Sequence, residues 1–406
     1  MSGAIPDSLN EQLSHQLSQV VGFIYPNEVE TQWAILIVVY PYLTGIVAGA
    51  FILASLVKVF NVVEVQPIYR LALLTALSFM LVAGMPLQLH LGHPERAYEI
   101  FFTPQPTSAM AMFGFVYLWY LLGILLIEIW FEYRHQLVLM AQKSRGLMKG
   151  IYGALSLFSK DVSPAALAFD KKASKVVTVI GIPSAFLLHG YVGFIFGSVK
   201  ANPWWGSVLM PIVFLMSAIV SGIAMVMLVY MVLSLVRNEK LDMRCLDKVG
   251  LFLLVALIVD FALEGLDYIH RLYQSEESIK ILGELVSAKL FTSLVILQVA
   301  LGMLLPVLIL ALARSKRFNE DMRKLMYFTS VLLIQLGIFS MRWNVVIGGQ
   351  LYSKSFRGLM AYKMELTGLE SLMTAVVLLA LPFIILTALS HLLPARWMEQ
   401  HAASGR

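Results

Sequence analysis

Charge is what this chain has least of. Only 14% of its 406 residues are Asp, Glu, Lys or Arg, against 59% hydrophobic residues. A water-soluble domain carries about 25% charged residues, so a soluble globular fold is excluded. Cysteine is scarcer still: a single residue, Cys245. That excludes a disulfide scaffold, a Cys-ligated iron–sulfur cluster and c-type haem attachment, each of which needs more sulfur. Two-residue alternation is missing, which excludes a membrane β-barrel. Residues 1–30 lack the basic start and apolar core of a cleavable signal peptide. The net charge of +5 fits basic loops on a cytoplasmic face and gives no support to a nucleic-acid partner.

What is present is a series of long apolar runs, at roughly 33–58, 70–91, 110–131, 175–197, 207–236, 249–271, 284–313, 325–347 and 366–392. Each reaches the ~20 residues that a helix needs to cross a bilayer. With no alternation, helices are the structures that satisfy their own backbone in lipid. The fold class is therefore all-α and polytopic, with nine transmembrane helices. Upstream, Ser8-Leu9-Asn10-Glu11 has the form of a capping box. The apolar residues that follow share one helical face, which predicts a surface-lying amphipathic segment over 1–32. The membrane domain spans 33–392 and a tail follows at 393–406.

Orientation follows from the basic residues. With the N-terminus outside, inward segments hold 21 of the 30 Lys and Arg residues and outward segments hold seven. The positive-inside rule places the N-terminus outside and the C-terminus in the cytoplasm. The longest inward loop, 132–174, carries an amphipathic stretch of Leu147, Met148, Ile151, Leu155 and Phe158 flanked by Lys and Arg. Such a stretch lies against the anionic inner surface.

Ionisable groups inside the membrane are costly, so each marks a candidate site. The sixth run places Asp260, Glu264, Asp267 and His270 near one helical face. Arg342 and Lys289 fall at similar depth in the outer half. Two readings stand side by side: an ion-pair network joining Asp260 or Glu264 to Arg342, and a proton relay through the same carboxylates. His189 lies between Pro183 and Gly190, and an imidazole in an apolar pocket can bond a carbonyl and hand over a proton near neutral pH. No helix carries two histidines at different depths, as stacked haems would need, so no haem is expected. The residues Trp33, Trp204, Trp205 and Trp343 are expected in an interfacial belt. Tyr40-Pro41-Tyr42 is deeper, so Tyr40 is a candidate cavity wall, and Gly45 and Gly49 form a small-residue packing face.

The loop Leu91-Gly92-His93-Pro94-Glu95-Arg96, followed by Pro104-Gln105-Pro106-Thr107-Ser108-Ala109-Met110, resembles the signature loop of the NrfD/PsrC family, the membrane subunits of polysulfide reductase and related quinone-linked complexes. His93 stands where the family usually has arginine, and Gln105 in the region of its asparagine. Pro183 to Trp205 resembles the family's fourth span. Met341 to Gln350, with Ser353-Lys354-Ser355 after it, resembles the DsrP branch, the membrane component of the DsrMKJOP complex of dissimilatory sulfur metabolism.

The resemblance implies two four-helix bundles plus one extra helix in a bacterial or archaeal inner membrane. It implies menaquinone or ubiquinone as cofactor, held near the outer surface of the first bundle by His189 and Tyr40, and no haem or iron–sulfur cluster in this chain. Asp260, Glu264 and Arg342 would fall in the second bundle. The loop with His93, Glu95 and Arg96 would dock a periplasmic ferredoxin-like iron–sulfur subunit. The other implied partners are a multihaem cytochrome c, a b-type cytochrome membrane subunit and a cytoplasmic iron–sulfur subunit. A proton-coupled secondary transporter using the Asp260–Glu264–Arg342 cluster, and a passive membrane anchor of a redox complex, are the competing functions. The 91–110 loop separates the first of these from a redox subunit, since a transporter has no evident need of it.

Overall fold

A computed structural model describes residues 31–393, apart from 104, 275–277, 316 and 353–358. The amphipathic N-terminal segment, the Ser353-Lys354-Ser355 stretch and nearly all of the tail lie outside the described residues. Among those described, nine helical spans are long and apolar enough to cross a membrane: Ile35–Lys58, Val63–His90, Met110–Lys143, Pro164–Gly197, Met210–Val236, Met243–His270, Ile279–Ala313, Glu320–Gln350 and Leu372–Leu392. The protein is an all-α, multi-pass membrane protein.

The first span is the hub, almost entirely buried, and packs on spans two, four, five, eight and nine. Spans one to four form one bundle and spans five to eight a second, with span nine against spans one and two. The two bundles meet where span one crosses span five. Gly49 there faces the Ala218 carbonyl and Gly222, and Gly222 in turn faces the Gly49 backbone. Without side chains at these positions the two backbones touch, the packing that membrane helices use in place of a hydrophobic driving force.

Polar caps set several helix starts. The Ser108 hydroxyl accepts from the Ala111 amide at 3.3 Å and opens span three. Ser163 and Asn319 cap spans four and eight in the same way, and Glu320 and Asp321 add negative charge to the first turn of span eight. Span two bends at Gly84, between Tyr69–Ala83 and Met85–His90. Span three passes through π turns at Trp119–Leu125 before resuming as Leu126–Lys143.

Two expectations are corrected here. The segment 132–174 is not mainly loop: spans three and four run on as helix to Lys143 and from Pro164, with the short amphipathic helix Gly146–Leu155 between them. A buried ion pair holds the extension together. Arg134 Nε bonds both carboxylate oxygens of Asp170, at 2.9 and 2.8 Å, and its Nη1 reaches the Asp161 carbonyl at 2.7 Å. Charge in those turns hid the helix from a search for apolar runs.

The second correction concerns tryptophan. Trp204 and Trp205 are buried rather than belt residues, and their indole N–H groups donate to the carbonyls of Asn344 and Val345 at 2.8 and 2.6 Å. Trp33 stacks on Trp205, and its backbone bonds the Gln350 amide in both directions. These bonds satisfy carbonyls at the end of span eight that its own helix leaves open.

Candidate functional site

At the end of the first bundle nearest the 91–109 loop lies a cavity of about 460 Å³. Tyr40 and Ile37 of span one, Gly84 and Gln88 of span two, Phe113, Tyr117 and Leu118 of span three, and Val192 and Phe196 of span four form its walls. Leu91, Ala97, Ile100 and Phe101 of the connecting loop form its lid. The lining is mostly apolar with a few polar atoms, the usual make-up of a small-molecule site. Tyr40 is buried against the edge of Phe113, with ring centroids 5.1 Å apart, and its hydroxyl has no hydrogen-bond partner. Leaving a buried hydroxyl unpaired costs about 1–3 kcal/mol, so this group calls for a ligand or water. Pro41 cannot donate to the Ile37 carbonyl, which removes that oxygen's usual helical partner at the cavity wall. Tyr117 is different: its hydroxyl donates to the Met80 carbonyl and so fixes span three on span two.

His189 is not among the residues that line this cavity. It is fully buried one layer behind, among spans one, five and eight. Arg342 Nη2 donates to His189 Nε2 at 3.0 Å, so Nδ1 carries the proton and faces Thr44 Oγ1 at 3.3 Å. The Thr44 hydroxyl donates to the Tyr40 carbonyl at 3.1 Å. A directed chain therefore runs from Arg342 through His189 and Thr44 to the backbone of Tyr40. The spacing is set by Gly45, where a β-carbon would come 3.2 Å from the imidazole.

Arg342 makes no direct hydrogen bond to a carboxylate, though Asp260 and Glu264 are near enough to interact with its charge. Its guanidinium lies over the Phe214 ring, 4.1 Å from the centroid, and donates to Ser217 Oγ at 2.7 Å as well as to His189. Asp260 is completely buried, with neither carboxylate oxygen hydrogen-bonded. Glu264 Oε2 accepts from Gln298 at 2.7 Å, Gln298 Oε1 accepts from Asn344 at 2.7 Å, and Ser293 donates to Asn344 Oδ1 at 2.5 Å. Asp267 accepts from Ser207. A cavity of about 30 Å³ touches Glu264, Asp267, Gln298 and Asn344, room for a water or two. The structure thus brings Asp260, Glu264, Asp267 and Arg342 into the interior. It leaves His270 and Lys289 exposed on helix surfaces.

The loop residues His93, Glu95 and Arg96 are exposed. His93 Nδ1 stands 3.0 Å from Glu95, and Arg96 makes a two-pronged contact with Glu99, both bonds 2.9 Å. The hydrogen bonds from Arg96 hold the Glu99 carboxyl below the usual carboxylate range. Exposed Tyr98 and Phe102 sit beside them on the lid. This surface is charged and aromatic at once, a composition suited to binding a protein.

One buried carboxylate escapes a search of the sequence for clustered charge. Glu128, in span three, is fully buried, and its Oε1 is reached by Tyr69, Thr178 and Ser174 at 2.9, 2.9 and 3.0 Å. Its one sequence signal is a single acid inside Leu126-Ile127-Glu128-Ile129-Trp130, near the C-terminal end of that apolar run.

Comparison with known proteins agrees with this architecture. The family model described as polysulphide reductase, NrfD, matches residues 26–353. The chain is 32% identical over 324 residues to a subunit of the selenate reductase of Mesobacillus selenatarsenatis, a match covering 78% of this chain and 74% of that protein. It is 28% identical over 313 residues to a putative dimethyl sulfoxide reductase membrane subunit of Halobacterium salinarum, covering 75% and 66%. It is 23% identical over 342 residues to an Hdr-like menaquinol oxidoreductase integral membrane subunit of Archaeoglobus fulgidus, covering 82% and 74%.

Proposed function

The chain belongs to the polysulphide reductase NrfD family, and from that premise we propose that it is the quinone-exchanging membrane subunit of a respiratory redox complex. The observation that carries this reading is the apolar cavity of the first bundle, with the unpaired Tyr40 hydroxyl in its wall. A planar ring with a carbonyl at each end fits such a slot: apolar walls take the ring and Tyr40 donates to one oxygen. Bound there, a quinone supplies two-electron, two-proton chemistry between membrane and protein. Tyr40 orients the ring, Phe113 and Phe196 exclude water, and the Arg342–His189–Thr44 chain fixes the Tyr40 backbone. His189 is thus a positioning residue in this proposal. The menaquinol named for the Archaeoglobus relative favours menaquinone over ubiquinone.

Electrons enter or leave through an iron–sulfur subunit docked on the exposed loop of His93, Glu95, Arg96, Tyr98 and Phe102, directly over the cavity. Dissimilatory sulfur metabolism and the DsrP branch, with its cytochrome c, cytochrome b and cytoplasmic iron–sulfur partners, are the finer reading, supported by the Met341–Gln350 motif. Asp260, Glu264 and Arg342 form a proton-relay candidate in the second bundle. In the same proposal 33–392 is the membrane domain and 1–32 a periplasmic segment.

The purified complex should retain close to one quinone per copy of this chain, measured by solvent extraction and chromatography; a complex active with its redox partner but free of quinone sinks the reading. The proposed orientation puts the 91–109 loop outside and 146–155 in the cytoplasm, because the basic residues gather on the latter side. A membrane-impermeant thiol reagent should modify Glu95→Cys in intact spheroplasts and spare Lys149→Cys, with little background from the buried Cys245. The reverse pattern inverts the topology and moves the docking face to the cytoplasm.

A further inference from the structure

At the end of the first bundle away from the quinone cavity lies a second cavity, of about 520 Å³. Lys58, Tyr69, Arg70, Glu132, His135 and Ser174 are among its walls, so it is polar where the quinone cavity is apolar. Two of these wall residues, Tyr69 and Ser174, hydrogen-bond Glu128, which sits just behind them. The carboxylate is buried, and its second oxygen, Oε2, has no partner.

The charges around Glu128 are committed elsewhere. Lys58 and Arg70 both bond Glu132, at 2.7 and 2.8 Å, and Asp170 is held by Arg134. From span four Glu128 meets the neutral hydroxyls of Ser174 and Thr178, and from span two the phenol of Tyr69. None of its hydrogen bonds comes from a cation. Thr178 has one hydroxyl hydrogen to share between Glu128 and the Ser174 carbonyl. The free Oε2 leaves room for a proton, and burial in apolar surroundings disfavours the charged form of a carboxyl.

Between Glu128 and the quinone cavity the same bundle holds two more unpaired buried polar atoms, Thr75 Oγ1 of span two and the Tyr120 hydroxyl of span three. Tyr120 lies eight residues before Glu128 on the same span, and Tyr117, a wall of the quinone cavity, lies three residues before Tyr120. The Tyr40 hydroxyl completes the series. Buried polar atoms left unpaired by protein are where internal water is found. The four, Glu128 Oε2, Thr75 Oγ1 and the Tyr120 and Tyr40 hydroxyls, all belong to the bundle that separates the polar cavity from the apolar one.

We propose that Glu128 is a proton-exchange site that loads from the polar cavity and serves the quinone cavity on the opposite side of the membrane. The inference rests on the quinone reading for what consumes or releases the proton. In the step itself the Glu128 O–H bond breaks as an O–H bond forms on a neighbouring water or hydroxyl. The resulting carboxylate then takes a proton from a hydronium ion in the polar cavity, an O–H bond of that ion breaking to leave water; no electron is moved. Release from the quinone cavity runs the same steps in reverse.

Dicyclohexylcarbodiimide, which attacks protonated carboxyls in apolar surroundings, tests this on the purified complex. Peptide mass spectrometry should find the adduct on Glu128, falling as pH rises. In Glu128→Gln that adduct is absent, and quinone turnover drops at least tenfold while quinone content stays at the wild-type level; Glu128→Asp regains part of the rate. An unmodified Glu128 in the wild-type complex overturns the proposal, as does Glu128→Gln turning over at the wild-type rate. If Glu128→Gln does not assemble, the wild-type labelling alone decides. Labelling of Glu128 in a complex that holds no quinone would sink the quinone reading and leave the proton site standing.

Discussion

Replacing Gly222 with valine should all but remove the protein from the membrane, with a yield of folded, detergent-soluble chain at least tenfold below wild type. A β-carbon at Gly222 would land on the backbone of Gly49, and backbone cannot turn aside as a side chain does. Overpacking a core ordinarily costs about 1–3 kcal/mol because neighbouring side chains shift. Here the two central helices must separate instead, and span one touches five other spans. The separation would also carry Thr44 and Gly45 away from His189 and break the chain from Arg342 to Tyr40. Gly265→Val is the control, since a β-carbon there meets nothing within 4 Å. Size-exclusion chromatography of both variants decides the matter. Equal recovery would mean that the span-one–span-five contact does not organise the fold.

Leu118→Trp should empty the proposed quinone cavity without unfolding the protein. Leu118 lines the cavity and is only half-buried, so a larger ring there grows into open space rather than into packed neighbours. Quinone recovered from the purified variant should fall more than tenfold, with the yield of complex unchanged. Tyr40→Phe removes a single neutral hydrogen bond, worth about 0.5–1.5 kcal/mol. Its loss of quinone affinity should therefore be only about two- to tenfold, since 1.4 kcal/mol corresponds to one factor of ten. Had Leu118→Trp retained a full complement of quinone, the ligand would have to bind elsewhere.

The contrast between these sites shows what the sequence makes legible. Nine spans are visible because lipid demands long apolar runs, and their centres agree with the structure. The ends do not always agree: Arg134 and Asp170 sit in helix, because a charged turn beyond the bilayer can be stabilised by a pair that sequence alone does not join. Tyr40 is legible as a cavity wall from its depth and from the proline beside it. The direct hydrogen-bond partners of Arg342 are not. Composition points to a carboxylate, whereas geometry supplies His189, Ser217 and the Phe214 ring, since which faces meet is decided by the glycines of span one. Lys289 shares the depth of the buried cluster but points outward, because depth along a helix says nothing about direction around it. Glu128 is the reverse case, a single acid in an apolar run whose significance appears only when Tyr69, Ser174 and Thr178 converge on it.

Photo-crosslinking of the intact complex with an azidoquinone tests most directly whether quinone occupies the first-bundle cavity walled by Tyr40 and Phe113. Peptide mass spectrometry should place the adducts on segments 37–40, 84–91, 113–118 and 192–196, which wall the cavity, with labelling suppressed by excess quinone and by Leu118→Trp. Competed adducts confined to the second bundle, around Glu264 and Asn344, would contradict the account.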